Sequence, residues 1–205
     1  MAFSEYLREK YGSNEPIYVD DIQFEHYSRP WIFLELKKLI ESGEIKRFSR
    51  GVYYLPEKMP WGDSKLNPRK VAERRFLTDG KEVYGYVAGL SLLNMAALST
   101  QVPNLTEIVT NNEATRVRDI MIGNLRIRAR RSRTKITKEN VNTLQFLDLM
   151  NTITPSAMGE TERYMLSKYV KASGTSKDAV MQYAGFFPAK AMKNIMEIGA
   201  AYELA

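Results

Sequence analysis

Apolar residues recur at helical spacing in two places near the start of the chain, and each recurrence predicts a helix. The first helix covers residues 1–11 and ends at Gly12, a residue type that readily adopts the left-handed conformation found after many helices. A brief extended segment follows, and Asp20 is a candidate N-cap for a very short second helix. The third helix begins at Ser28 and ends at Gly43. Its predicted buried face consists of Phe33, Leu36, Leu39 and Ile40.

Two β-prone runs, "GEIKRF" and "GVYYLP", follow the third helix. They are separated by Ser49, Arg50 and Gly51, where glycine supplies the positive φ of a hairpin turn. Alternation along the second run predicts one buried and one exposed ring for Tyr53 and Tyr54. A helix, a short helix, a longer helix and a hairpin, in this order, are typical of a winged helix-turn-helix. We therefore predict such a domain at residues 1–58 and a linker in the proline-rich segment 56–68.

The rest of the chain predicts a second domain, residues 69–205, that mixes strands and helices. A helix at about 69–77 precedes a strand-like segment that passes into an apolar helix at about 88–98. Three strands follow, "LTEIVTN", "TRVRDIMI" and "NLRIRAR", and the last two are joined through Gly123-Asn124. Four helices are predicted after them, at about 142–150, 159–171, 176–183 and 189–204. The predicted fold class is α+β, an N-terminal winged helix-turn-helix followed by a mixed α/β domain with a helical C-terminal part.

The net charge of +6 is unevenly distributed along the chain. Residues 1–60 contain nine Lys or Arg and ten Asp or Glu, residues 61–140 contain fifteen and eight, and residues 141–205 contain six of each. The middle third therefore carries the whole positive excess. Clustered positive charge favours a polyanionic partner.

Composition argues against most catalytic chemistry. The chain has no cysteine and one histidine, His26, so a thiol nucleophile, a disulfide, a zinc site and a Ser/His/Asp triad are not expected. His26 is predicted to be an ordinary polar residue of the short second helix. Phosphate-binding glycine motifs are missing from the sequence as well. We expect a cytoplasmic protein that is not an enzyme, with no metal, no cofactor and no membrane segment.

Positive side chains surround the predicted hairpin and the helix before it. In a winged helix the third helix enters the major groove while the hairpin follows the phosphate backbone. The candidate DNA-binding residues are Arg29, Lys37, Lys38, Lys46, Arg47 and Arg50. The net charge of −1 in the first third favours the alternative of a protein-interaction or dimerisation module.

A second group of basic residues lies between Arg116 and Lys138, a stretch with a single acidic residue, Asp119. Period-two alternation in "NLRIRAR" places Leu125, Ile127 and Ala129 inward and three arginines on the opposite face. The possible second basic surface comprises Arg116, Arg118, Arg126, Arg128, Arg130, Arg131 and Arg133. It could extend a DNA footprint, bind RNA or dock an acidic protein. It could equally pair with carboxylates of the C-terminal helices, such as Glu160, Glu162 or Glu197.

Two stretches carry a resemblance to a known family. "LKKLIESGEIKRFSRGVYYLP" followed by "YGYVAGLSLLNMAALSTQVPNLTEIVTN" resembles the AbiEi-type antitoxin family of abortive-infection, type IV toxin-antitoxin systems. The similarity covers roughly residues 1–135. Its most specific parts are the hairpin pattern from Gly43 to Pro56 and the segment from Tyr86 to Leu93, followed by "IVTN".

The resemblance implies a transcriptional repressor that binds the double-stranded operator DNA of its own operon and opposes a nucleotidyltransferase-like toxin. It also implies that direct contact between antitoxin and toxin is not required. Lys46, Arg47 and Arg50 match the family's basic hairpin, and residues 28–39 match its recognition helix. The alternative function is a non-catalytic interaction module whose basic face docks an acidic protein or RNA.

Overall fold

A computed structural model of the 205-residue chain describes residues 2–24, 27–200 and 204. His26 and the predicted end of the last helix, apart from residue 204, lie outside the described residues. The described part contains eight α-helices and three β-sheets, and it divides into two compact units, one ending at Val71 and the other starting at Ala72. The prediction of a mixed α+β protein is confirmed.

The first unit is built from two α-helices, a short 3₁₀ turn, a three-stranded sheet and a small hairpin. Its elements are α1 (Phe3–Tyr11), β1 (Ile17–Tyr18), a 3₁₀ turn (Val19–Asp21), α2 (Arg29–Glu41), β2 (Lys46–Ser49), β3 (Val52–Tyr54), β4 (Lys58–Met59) and β5 (Gly62–Asp63). The sheet has the strand order β1-β3-β2, with both pairings antiparallel. A third helix, α3 (Pro68–Phe76), begins in this unit and continues past its end.

Helix α2 begins and ends where the sequence predicts. Ser28 has extended backbone angles and Pro30 occupies the first turn, where its missing N–H costs no hydrogen bond. Gly43 follows the helix with a φ of 75°. The predicted buried face is correct for Leu36, which is buried, and for Leu39, which packs against the core, but Phe33 and Ile40 are exposed and Ile32 is buried instead. The core therefore contacts a face of the helix rotated away from the predicted one.

The hairpin after α2 turns through Arg50 and Gly51, because Ser49 already pairs with Val52. Gly51 has a φ of 76°, the left-handed conformation that glycine adopts without strain. The prediction that one of the two tyrosines would be exposed is wrong, since Tyr53 and Tyr54 are both buried. The Tyr54 hydroxyl donates to the carbonyl oxygen of Ser64, at 3.3 Å.

The proline-rich segment predicted as a linker forms the β4–β5 hairpin within the first unit. The Ser64 hydroxyl accepts a hydrogen bond from the backbone N–H of Glu57 at 2.8 Å and donates to the side-chain oxygen of Asn14. These bonds tie the segment to the end of α1. The segment therefore supplies the contact that buries Tyr54.

The second unit combines a four-stranded sheet with helices. Its elements are β6 (Gly85–Ala88), α4 (Gly89–Met95), β7 (Thr106–Thr110), β8 (Val117–Ile122), β9 (Leu125–Arg131), α5 (Val141–Thr152), a 3₁₀ turn (Pro155–Ala157), α6 (Glu160–Ser173), α7 (Lys177–Ala184) and α8 (Ala189–Glu197). The strand order is β6-β7-β9-β8, in which β7 and β9 are parallel and the other pairs antiparallel. The predicted β8–β9 hairpin through Gly123 is confirmed.

Helix α5 is the central element of the second unit. Its residues from Phe146 to Met150 are all buried, and it packs against β6 on one side and α6, α7 and α8 on the other. The buried Asn194 of α8 donates to the carbonyl oxygens of Met150 and Ile153, at 2.8 and 3.0 Å. These bonds satisfy carbonyl groups at the end of α5 that the helix itself leaves unpaired.

Among the residues that the structure describes, no helix combines the length and the apolar character needed to cross a membrane.

Candidate nucleic-acid interface

The turn of the β2–β3 hairpin is linked to the N-terminal end of α2 through the 3₁₀ turn Val19–Asp21. The backbone N–H of Val19 donates to the carbonyl oxygen of Gly51 at 3.0 Å. The next residue, Asp20, forms an ion pair with Arg29 at 2.8 Å. This chain of contacts links the hairpin turn at Gly51 to Arg29, the first residue of α2.

The six predicted DNA-binding residues fall into two groups. Four of them pair with carboxylates in the same unit: Arg29 with Asp20, Lys37 with Glu41 at 3.9 Å, Lys38 with Glu35, and Lys46 with Asp63 at 3.0 Å. Each of the four cations exposes 42% or more of its side chain, so a phosphate can reach it and compete with the carboxylate. The pairs do reduce the positive potential that α2 presents.

Arg47 and Arg50 make up the second group. Both side chains are exposed, and no described carboxylate pairs with either of them. The Arg47 Nε donates to the carbonyl oxygen of Ser49 at 3.3 Å, which holds this side chain along its own strand. The hairpin therefore presents two guanidinium groups that form no ion pair with a described carboxylate, and this group suits bidentate contacts to phosphate.

Asp63 is a residue of this surface that the sequence reasoning missed. Its carboxylate lies between Lys58 and Lys46, at 2.9 and 3.0 Å, and hydrogen bonds from Lys58 and then Lys46 lower its pKa. Asp63 follows the Trp61-Gly62 turn in the segment predicted as a linker. No pattern in the neighbouring sequence indicates its contact with β2. Asp63 neutralises one of the three cations of the predicted basic hairpin.

The exposed side of α2 is more apolar than its charged residues suggest. Phe33, Leu34 and Ile40 expose 47%, 54% and 38% of their surface. Trp31, by contrast, is partly buried and stacks on Phe24 with ring centroids 5.8 Å apart. The outward face of α2 thus combines three apolar side chains with ion-paired lysines.

In the second unit, the arginines of β9 alternate as predicted but do not form an unpaired row. Ile127 and Ala129 are fully buried, and Arg128 on the opposite face pairs with Asp119 across the β8–β9 hairpin through two hydrogen bonds, at 2.8 and 3.0 Å. These hydrogen bonds lower the pKa of Asp119. Arg130 binds Asp148 of α5 at 3.0 Å and lies 3.9 Å from Glu107 of β7.

Asp148 is buried, with 7% of its side chain exposed. Burial raises the pKa of this carboxyl, and the nearby Arg130 guanidinium acts in the opposite direction. Tyr86 of β6 is also buried, and its burial raises the pKa of its hydroxyl. Arg130 and Asp148 therefore form a structural ion pair between the sheet and α5.

The remaining arginines of the predicted second basic surface differ in their partners. Arg118 pairs with the buried Glu113 at 2.9 Å. Arg131 donates to the carbonyl oxygen of Ala114 at 3.5 Å, and Arg133 donates to that of Phe186 at 2.9 Å. Arg116 and Arg126 are exposed, and within the described ranges neither has a carboxylate partner.

The carboxylates that bind these arginines come from the sheet, from the loop before β8 and from α5. The suggested partners Glu160, Glu162 and Glu197 form no described ion pair with them. Carboxylates of the protein therefore do neutralise Arg118, Arg128 and Arg130, but they are not the ones suggested from the sequence.

A small pocket lies where β9 meets α5. Tyr86, Arg130, Arg133, Asp148 and Phe187 are among its lining residues. Its volume of about 20 Å³ suits one water molecule and is too small for a nucleotide. The described residues also contain no group of three or more His, Cys, Asp or Glu side chains placed to hold a metal ion.

No protein-family model matches the chain, and no curated protein matches its sequence. The resemblance to AbiEi-type antitoxins therefore stays a prediction, carried by the residues quoted for it above.

Proposed function

We propose that the first unit is a winged helix-turn-helix that binds double-stranded DNA, and that the protein is a cytoplasmic transcriptional regulator without catalytic activity. The observation that carries this proposal is that Arg47 and Arg50 are exposed and pair with no described carboxylate, on a hairpin whose turn is linked to the N-terminal end of α2 through the 3₁₀ turn. In winged helices a hairpin at this place contacts phosphates while the preceding helix enters the major groove.

The ion-paired cations support the same proposal in a lesser role. Arg29, Lys37, Lys38 and Lys46 sit in exposed pairs, and such pairs exchange partners at little cost in free energy. DNA phosphates would compete with the carboxylates for these side chains. Arg47 and Arg50 need no such exchange, so they should contribute most to the salt dependence of binding.

The test is fluorescence anisotropy with labelled duplexes that tile the region upstream of the gene, at several salt concentrations. The Arg47→Ala/Arg50→Ala double variant removes the two unpaired cations. A matched control, Lys177→Ala/Lys190→Ala, removes the same charge from exposed first-turn positions of α7 and α8. The double variant should reduce the slope of log affinity against log salt concentration by about 2, because each phosphate contact contributes about 0.9.

The control variant should keep both affinity and slope. An equal loss in the two variants would show that net charge alone matters and that the hairpin has no special role. If micromolar wild-type protein leaves the anisotropy of every labelled duplex unchanged, the DNA-binding proposal is wrong.

We further propose that the protein is the antitoxin of a type IV toxin-antitoxin system, opposing a nucleotidyltransferase-like toxin. Support for this part comes from the sequence resemblance over residues 1–135. A neighbouring reading frame that inhibits growth when expressed alone, and not with the full chain present, is the expected result. Growth inhibition that persists when the full chain is co-expressed would contradict it.

A second candidate function is a non-catalytic module that docks an acidic protein or RNA through the second unit. The observation that favours it is the exposed group around Arg116 and Arg131, which are adjacent because the Arg131 N–H donates to the Arg116 carbonyl at 3.3 Å. The Arg116→Ala/Arg131→Ala variant should then lose binding to a labelled single-stranded RNA or polyglutamate probe while leaving binding to the upstream duplex unchanged. No binding of either probe by the wild type, or equal binding by the variant, would eliminate this candidate.

A further inference from the structure

The outward face of α2 has an unusual composition for a solvent-facing helix. Phe33 and Leu34 lie in its first two turns, about 100° apart around the axis, and each exposes roughly half of its surface. Ile40 continues the apolar character one to two turns later. Exposed helix faces are normally polar, so an apolar patch of this kind indicates a contact surface.

The charged residues of α2 are poorly placed to read bases. Arg29, Lys37 and Lys38 each pair with a carboxylate on α2 itself or on the neighbouring 3₁₀ turn. A bidentate contact from such a side chain to a guanine would replace an existing ion pair, so its net gain is smaller than that of a contact made by an unpaired group. Phe33, Leu34 and Ile40 have no such partner to give up.

The surroundings of the patch favour duplex DNA as its occupant. Arg47 and Arg50 of the hairpin pair with no described carboxylate and suit a polyanion, and the hairpin turn is linked to the N-terminal end of the same helix through the 3₁₀ turn. Three half-exposed side chains also supply far less area than the roughly 800 Å² that each partner buries in a standard protein interface. In the major groove the apolar feature of a base pair is the C5-methyl group of thymine.

We infer that Phe33 and Leu34 contact thymine methyl groups, so that the protein reads its operator mainly through the positions of thymine. This inference rests on the proposed DNA binding and adds its mode of base recognition. Base edges are reached from the N-terminal part of a recognition helix, and Phe33 and Leu34 lie in the N-terminal half of α2. The hairpin then supplies affinity, and the apolar pair supplies specificity.

The experiment compares the upstream duplex that binds best with the same duplex containing deoxyuridine in place of every thymidine. Deoxyuridine lacks the methyl group and keeps the hydrogen-bonding groups of thymidine. Loss of one contacted methyl should weaken wild-type binding about fourfold, and loss of two about fifteenfold. The Phe33→Ala/Leu34→Ala variant should bind both duplexes equally, at about the affinity of the wild type for the uridine duplex.

Two controls separate this inference from the proposed function. Arg47→Ala/Arg50→Ala should weaken binding to both duplexes and keep the difference between them. Met95→Ala/Val102→Ala, which truncates two exposed apolar residues of the second unit, should behave as the wild type. Circular dichroism should show unchanged helix content in each variant, since all the substituted side chains are exposed.

Equal wild-type affinity for the two duplexes, with salt-dependent binding intact, would overturn methyl recognition and leave DNA binding standing. If the wild type binds the two duplexes equally and also forms a concentration-dependent dimer that Phe33→Ala/Leu34→Ala loses, the apolar patch is a protein contact. Failure of the wild type to bind any upstream duplex would remove both proposals.

Discussion

Replacing Arg130 by methionine tests whether the ion pair between the sheet and α5 stabilises the second unit. Arg130 binds Asp148 at 3.0 Å, and Asp148 exposes 7% of its side chain. Methionine keeps much of the volume of the arginine stem and removes the charge. The substitution leaves a buried carboxylate without its cation.

The expected loss in the free energy of unfolding at neutral pH is about 3 kcal/mol. Removing one partner of a buried pair costs about 3–5 kcal/mol, and the lower end applies because Arg130 itself is 28% exposed. Glu107, at 3.9 Å and partly exposed, adds little. Asp148→Asn in the Arg130→Met background should recover most of the loss, because a neutral amide is much less costly to bury than a carboxylate.

The loss in the free energy of unfolding caused by Arg130→Met should depend on pH. Burial already raises the pKa of Asp148, so the folded state holds this proton more tightly than the unfolded state. Stability from this group is complete below the unfolded pKa of about 4 and is lost as pH rises through the folded value. Without Arg130 the folded pKa rises further. The deficit of Arg130→Met should therefore be largest at neutral pH and shrink on acidification.

Urea unfolding followed by far-ultraviolet circular dichroism measures these differences for the wild type, the two single variants and the double variant. A coupling energy of about 2 kcal/mol is expected from the cycle. A loss below about 1 kcal/mol in Arg130→Met, or no recovery on adding Asp148→Asn, would refute the stabilising role of the pair.

Two further predictions concern a buried glycine and the basic hairpin. Gly85→Ala should destabilise the second unit by about 3 kcal/mol or more in urea unfolding, because a Cβ there would overlap the backbone carbonyl of Phe76. Gly185→Ala, whose Cβ would meet no atom within 4 Å, should stay within about 1 kcal/mol of the wild type, and equal effects would contradict the packing argument. Asp63→Asn should free Lys46 from its carboxylate, strengthen DNA binding and steepen its salt slope by about 1; an unchanged affinity and slope would show that the Lys46–Asp63 pair does not limit DNA binding.

The boundaries of helices and turns were largely predictable because their causes are local. Pro30 within the first turn of α2 and Gly43 after it act through their own backbone preferences. Gly51 acts in the same way in the hairpin turn. The alternation along β9 was also predictable, since the period of a strand fixes which residues share a face.

The buried face of α2 was not predictable from periodicity. Its sequence contains apolar residues almost all around the helix, so more than one arc could have faced the core. Packing against α1 and β3 selected the arc with Ile32 and Leu36 and left Phe33 exposed. The candidate site owes its apolar surface to this selection.

By itself, the sequence determined most of the element order, the turns and the uneven distribution of charge, because each depends on residue type and near neighbours. Only the tertiary structure decided which cations stay unpaired. Lys46 meets Asp63 and Arg130 meets Asp148 because separate elements fold together, whereas Arg47 and Arg50 meet no described carboxylate. An ion pair requires two side chains within about 4 Å, and distance in space between remote residues is not encoded in any local pattern.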